Sequence, residues 1–146
     1  MSEDTQTTLR LERLIPTERE LLFRLWTEPA QLVKWWAPEG HESTVHILEC
    51  CPGGRWRVGM RGADGDEVAS GVYRIVDPPK RLSFTWAWER PGGARGHETE
   101  VTVTLEPALG GTRLVLVQRR FETMEARDNH SHGWSASLDR MSAIVS

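Results

Sequence analysis

The sequence is short of several things, and each shortage excludes a class of protein. No apolar run in its 146 residues approaches the ~20 that a membrane-spanning helix needs. The opening Met1-Ser2-Glu3-Asp4-Thr5-Gln6-Thr7-Thr8 has neither a basic head nor an apolar stretch, so it does not read as a secretory signal. Cysteine is scarce: Cys50 and Cys51 are the only two, and being adjacent they cannot staple a useful loop. Two free thiols in a reducing cytoplasm are the expectation. Positive charge is also in deficit, with 18 Lys and Arg against 21 Asp and Glu and a net charge of −3. A phosphate-backbone binder would show a basic face, so no nucleic-acid partner is expected. Lysine is nearly absent too. Only Lys34 and Lys80 occur, and arginine scattered through the rest marks no single anion site.

What the sequence has in excess is tryptophan, seven residues against one tyrosine and three phenylalanines. An indole buries a large area yet carries an N–H that needs an acceptor, so it suits places where an apolar wall meets a polar atom. Cores, interfaces and ligand cavities all meet that description. The length fits a single domain, which we place at residues 8–146 behind a disordered N-terminus of residues 1–7. A chain of this size buries about two-thirds of its unfolded surface, enough for a core without disulfides or metals.

Hydrophobic spacing gives the element order. Thr7–Ile15 alternates as a first strand. Thr17, with Glu20 three residues on, reads as a capping box that opens a helix with a Leu21, Leu22, Leu25, Trp26 stripe. A second short helix after Pro29 carries Leu32, Val33, Trp35 and Trp36 and is closed by Ala37-Pro38-Glu39-Gly40. Six strands follow, separated by turns at 52–54, 63–66, 77–79, 91–93 and 109–112. Gly71 lies inside one of them and predicts a bulge or a close approach. From about Thr123 the spacing of Trp134, Leu138, Met141 and Val145 predicts a long helix, with His130 on the same face. Gly133 within it predicts close packing against another element. The expected fold is α+β: a curved antiparallel sheet of about six or seven strands around a long C-terminal helix, with two short helices after strand 1. Exposed Trp26 or Trp88 would mark a homodimer surface.

Most reactive constellations fail on spacing. His130 and His132, two apart on a helix, point to nearly opposite sides, and Asp128 with His132 lacks a third ligand. No metal and no cofactor is expected. His41, His46 and His97 are isolated at strand ends. There is no Gly-x-Ser-x-Gly elbow, and Ser70 precedes Gly71 within a strand. Cys50 and Cys51 read as inert thiols; Asp64 and Asp66 belong to a hairpin tip, and Glu98 and Glu100 to a solvent face. Gly53-Gly54, Gly92-Gly93 and Gly110-Gly111 serve turns rather than cradling a phosphate. What remains is aromatic: Trp56, Phe84, Trp86, Trp134 and Tyr73 on apolar faces, which either fill a core or line a pocket. Tyr73, Gln118, two indole N–H groups and His130 bring polar atoms into that interior. In a filled core each needs a buried partner or costs ~1–3 kcal/mol.

The chain resembles the family named after the C-terminal domain of the activator of heat-shock-protein-90 ATPase, within the START-like (SRPBCC) superfamily. The resemblance runs over about residues 8–146. It is carried by Pro29 and Trp35-Trp36-Ala37-Pro38-Glu39-Gly40, by Pro52-Gly53-Gly54-Arg55-Trp56, and by Ser70-Gly71-Val72-Tyr73 with Val76-Asp77-Pro78-Pro79-Lys80-Arg81-Leu82. Phe84-Thr85-Trp86, Gly110-Gly111-Thr112-Arg113-Leu114 and Gly133-Trp134 with Leu138 complete it. It implies a helix-grip fold, a sheet gripping the C-terminal helix around a hydrophobic cavity. Relatives bind lipids, sterols or aromatic molecules, some cyclise polyketides, and the eponymous member stimulates a chaperone. The expected function is therefore binding of a small hydrophobic molecule, with Trp35, Trp56, Tyr73, Phe84, Trp86, Gln118, Trp134 and Leu138 as walls. The tryptophans would supply stacking surface, and Tyr73 and Gln118 orienting hydrogen bonds. The alternatives are a cyclase or hydrolase using Tyr73 or His130 as acid or base, and a co-chaperone-like interaction module.

Overall fold

A computed structural model of the protein describes residues 6–37, 40–62 and 65–146. The elements run β1 (Leu9–Ile15), α1 (Arg19–Thr27), α2 (Pro29–Leu32), β2 (Glu42–Leu48), β3 (Arg55–Gly62), β4 (Gly65–Asp77), β5 (Arg81–Trp88), β6 (Thr99–Ala108), β7 (Gly111–Arg119) and α3 (Met124–Val145). This is the expected α+β order. Residues 1–5 of the expected disordered tail, Pro38 and Glu39 of the loop after the second helix, and Ala63 and Asp64 of the first hairpin tip lie outside the described residues. Ordered pairing begins just before β1, where the Phe121 N–H donates to the Thr7 carbonyl at 3.1 Å.

All seven strands form one antiparallel sheet in the order β1-β7-β6-β5-β4-β3-β2. Each strand from β2 to β7 pairs with its neighbour in sequence, and β1 joins the far edge against β7. The register slips between Tyr73 and Ile75 on β4 and between Val45 and Ile47 on β2. Such bulges raise local twist and bend a strand, which curves the sheet. Leu82, Phe84 and Trp86 of the central strand β5 enter the main core; Ser83, Thr85 and Ala87, on the opposite face, are small and also buried. Helix α3 lies over the core face with Trp134, Ser137, Leu138 and Met141 buried.

Gly71 is a close approach, as its place in a strand suggested. It pairs with Trp56 on β3, and the Trp56 indole crosses it to donate to the Thr85 carbonyl at 2.9 Å. A Cβ on Gly71 would sit 1.9 Å from that same oxygen and 2.7 Å from Trp56 Nε1. A side chain is excluded there because the strand must let an indole pass.

Several local expectations are corrected. Thr17 does not cap α1; Glu18 occupies the N-cap position with no side-chain cap bond. The Thr17 carbonyl instead accepts from the Thr112 hydroxyl at 2.8 Å, tying the helix start to β7. The second helix ends at Leu32, and Trp35 and Trp36 follow in turns that reach Ala37 at φ +78°. Trp26 is buried rather than exposed, and Trp88 is half-buried. Gly133 is not a close contact: a Cβ there would have nothing among the described residues within 4 Å. The C-terminal helix is capped by Thr123, whose Oγ1 accepts the Ala126 N–H at 3.0 Å.

Candidate functional site

Six of the seven tryptophans are buried and pack against one another. Trp26 touches Trp35 with ring centroids 4.5 Å apart and Trp134 at 5.8 Å. Trp36 stacks on Trp86 at 5.4 Å with planes 19° apart, and Trp86 meets Trp56 at 5.2 Å and Trp134 at 5.5 Å. Phe84 joins Trp56 at 5.6 Å and Tyr73 at 6.0 Å. The void left among Trp26, Trp36, Trp56, Tyr73 and Phe84 is about 10 Å³, room for one water at most. The middle of the sheet is therefore a packed indole core. Trp35, Trp56, Tyr73, Phe84 and Leu138 all sit within it rather than around an open space.

The polar atoms of this core are mostly satisfied by the chain itself. Trp35 Nε1 donates to the Leu25 carbonyl at 2.8 Å and Trp134 Nε1 to Gln118 Oε1 at 2.8 Å. Gln118 Nε2 donates in turn to Thr99 Oγ1 at 2.8 Å, so the fully buried amide is engaged at both ends. The Tyr73 hydroxyl is hydrogen-bonded to the Cys50 thiol, which donates to the Thr27 carbonyl at 3.6 Å. Burial, with Cys50 beside it, pushes the Tyr73 phenol far above its ordinary value; burial likewise raises Cys50. The indole N–H groups of Trp26 and Trp86 are buried with no acceptor among the described residues.

Open space begins where the indole core meets the first half of α3. An inner pocket of about 60 Å³ lies among Trp36, Ala37, Met60, Trp86, His130, Gly133, Trp134 and Ser137. That volume holds a few waters. Beyond it, an outer cleft of about 350 Å³ is walled by Trp86, Trp88, Phe121 and His130, with Ala126 and Thr99 below and Arg90, Gly96, His97, Glu122 and Asn129 around the rim. Trp86 and His130 border both spaces. The outer cleft reaches the size range of small-molecule sites.

Three parts of the fold meet here. Period-two alternation puts Trp86 and Trp88 on one face of β5. The connection from β7 into α3 brings in Phe121 and Glu122, and the first turns of α3 bring Ala126, Asn129 and His130. Trp88 Nε1 donates to His130 Nε2 at 3.0 Å, so a neutral His130 carries its proton on Nδ1. Aromatic rings surround the imidazole: Phe121 at 5.0 Å, Trp86 at 5.5 Å and Trp88 at 5.7 Å. Burial among them lowers its pKa to about 4. At the rim, His97 Nε2 donates to the Arg120 carbonyl, and its Nδ1 faces Glu122 Oε1 at 3.7 Å. Among the described residues no three His, Cys, Asp or Glu side chains gather as a metal site.

A sequence model of the Activator of Hsp90 ATPase homolog 1-like protein family matches residues 16–146. The chain belongs to that family. The AHSA1 protein of Silicibacter pomeroyi is 33% identical, with a TM-score of 0.86 over 94% of this chain and 96% of that one. A protein from Chromobacterium violaceum is 27% identical, also with a TM-score of 0.86, over 95% and 97% of the two chains. A Mycobacterium smegmatis protein at 23% identity shares the fold with a TM-score of 0.86 over 99% and 94%. Among curated proteins none matches the chain.

Within this Activator of Hsp90 ATPase homolog 1-like chain, the expected wall residues divide. Trp86 and Trp134 border open space; Trp35, Trp56, Tyr73, Phe84 and Leu138 form the packed core; Gln118 holds Trp134 in place from behind. Sequence reasoning missed Trp36, Met60, Trp88, Phe121 and the rim. Trp88 was available from the strand alternation two residues beyond Trp86. Phe121 was not, because it lies in an irregular connection with no period to read.

Proposed function

We propose that the protein binds a small, largely aromatic molecule in the outer cleft, its apolar end directed toward the inner pocket. The observation that carries this reading is the cleft itself: about 350 Å³ walled by three aromatic residues and a neutral histidine, beside an indole core whose own void is only about 10 Å³. A folded chain that leaves Trp88 and His130 at an open boundary forgoes the burial that closing it would give. The family's fold supports the same reading, because a sheet curved around a helix opens where the two separate.

Two observations weigh against the alternatives. The groups an acid–base enzyme would use here are shifted away from neutrality, Tyr73 upward and His130 downward, and His130 Nε2 is already an acceptor for Trp88. The tryptophans are sequestered rather than displayed as the exposed patch a partner protein would need.

The test is a titration with N-phenyl-1-naphthylamine, a neutral aromatic probe whose emission rises in apolar surroundings. Saturable binding is expected for the intact protein. Asn129→Trp, at an exposed position on α3 that faces the cleft, should fill the space and weaken binding at least about tenfold without lowering the melting temperature. An absence of saturable binding, or binding indifferent to Asn129→Trp, overturns the proposal.

A further inference from the structure

We infer that the molecule bound in the cleft is an aromatic carboxylate whose anionic group pairs with Arg90. This rests on the binding reading above and names the ligand class for that site.

Trp86, Trp88 and Arg90 follow one another at intervals of two along the end of β5, and all three line the cleft. The strand's extended course continues past Trp88, since Glu89 forms a bridge with Arg95 and the Arg90 N–H donates to the Ala94 carbonyl at 2.7 Å. Alternation therefore sets the three side chains in a row, and their environments grade along it. Trp86 is buried, Trp88 half-buried and Arg90 exposed. A ligand laid along this row meets indole surface first and a guanidinium last.

The Arg90 side chain does not stand out in solvent away from the site. It lies over Gly96, another cleft residue: a Cβ built there would be 3.7 Å from Arg90 Nε and 3.9 Å from Nη2. Neighbouring charges are already matched. Arg57 makes a two-pronged contact with Glu89, from Nε to Oε2 at 3.0 Å and from Nη2 to Oε1 at 3.0 Å. Arg95 binds Glu98 at 2.9 Å and the Ser70 carbonyl at 2.8 Å. Among the described residues the Arg90 guanidinium has neither a hydrogen-bond nor an ion-pair partner. Glu122 is the acidic group of the cleft, and it faces the His97 ring.

A guanidinium presents a planar fork of donors that matches a carboxylate in two-pronged fashion. Set beside an apolar wall that excludes water on one side, such a pair is stronger than one fully in solvent. Trp88 donates its N–H to His130, so its indole offers the ligand a π face rather than a competing donor.

The experiment compares 2-naphthoate with 2-naphthamide, matched in shape and differing in charge, by calorimetric titration. The intact protein should prefer the carboxylate by about fivefold to tenfold, and raising the salt to about 0.5 M should shrink that preference. Arg90→Gln should bring the ratio of the two affinities to about one, whereas Arg90→Lys should keep part of it. Glu122→Gln should raise the ratio by removing a like charge. Equal binding of the two compounds, or a preference that survives Arg90→Gln, overturns the inference while leaving the binding reading intact. Binding of neither compound overturns both.

Discussion

The Trp134 indole and the Gln118 amide are joined by a 2.8 Å hydrogen bond in the buried space between α3 and β7. Gln118 passes the chain on to Thr99, whose hydroxyl reaches the Trp86 carbonyl at 3.4 Å. A polar thread thus fixes the position of Trp134 behind the inner pocket. Gln118→Leu keeps the volume but leaves Trp134 Nε1 without its acceptor and Thr99 Oγ1 without its donor. Such orphaned groups cost about 1–3 kcal/mol each, so a loss of about 2–6 kcal/mol in urea unfolding is expected. Trp134→Phe should cost less in that background than in the parent, because there it removes an orphan instead of creating one at Gln118 Oε1. Strictly additive losses would show that the two side chains are not coupled.

His130 links stability to pH. Its pKa is about 4 in the folded protein against an ordinary 6.5, and burial is the cause. The unfolded chain takes up the proton first as pH falls, so the stability tied to the neutral ring is full above about 6.5 and is lost progressively toward pH 4. The shift corresponds to about 3 kcal/mol at most. The slope of unfolding free energy between pH 6.5 and 4 should be flatter in His130→Gln than in the parent. An identical slope in both would mean that the imidazole is solvated in the native state.

Gly133 occupies the middle of α3 and borders the inner pocket, yet among the described residues nothing lies within 4 Å of the place its Cβ would take. Its backbone is helical, and glycine there costs about 1 kcal/mol relative to alanine. Gly133→Ala should raise stability by about 0.5–1 kcal/mol, read as a higher melting temperature. Gly133→Leu should instead project into the pocket of about 60 Å³ and reduce affinity for N-phenyl-1-naphthylamine. A Gly133→Ala protein less stable than its parent would mean that the helix fits more tightly there than its geometry shows.

What could be read from the sequence and what could not follows from the range of the interactions concerned. Strands such as Leu82-Phe84-Trp86 and the Trp134-Leu138-Met141 stripe announce themselves because burial imposes a local period. The sheet order was nearly implied by a succession of tight turns. Thr17 shows the limit: as a capping residue it looked right, but a long-range bond from Thr112 claimed its carbonyl, and the helix began one residue later than a Thr17 cap would place it. Gln118 looked like a ligand-orienting group because a buried amide demands partners. Both partners turned out to be side chains distant in sequence, Thr99 and Trp134. Apolar parity likewise cannot tell an indole that fills space from one that borders it, which depends on how six rings stack in three dimensions.

Gly71 carries the tightest constraint, since the lone space above it serves the Trp56-to-Thr85 hydrogen bond. The 1.9 Å separation predicted for an added Cβ is to a backbone carbonyl oxygen, which cannot swing aside as a side chain would. Relief would require β4 and β5 to part around one of the central pairings of the sheet, between Ser70 and Ala87 on one side and Tyr73 and Phe84 on the other. Gly71→Ala should therefore cost about 3 kcal/mol or more, at the upper end of single substitutions. The control is Trp56→Phe, which removes the indole donor and also shrinks a buried ring, and should cost about 2–4 kcal/mol. Because the larger conflict is with the backbone, combining the two changes should not rescue Gly71→Ala. Recovery in the double variant, measured by urea unfolding, would place the constraint on the indole ring rather than on the spacing of the two strands.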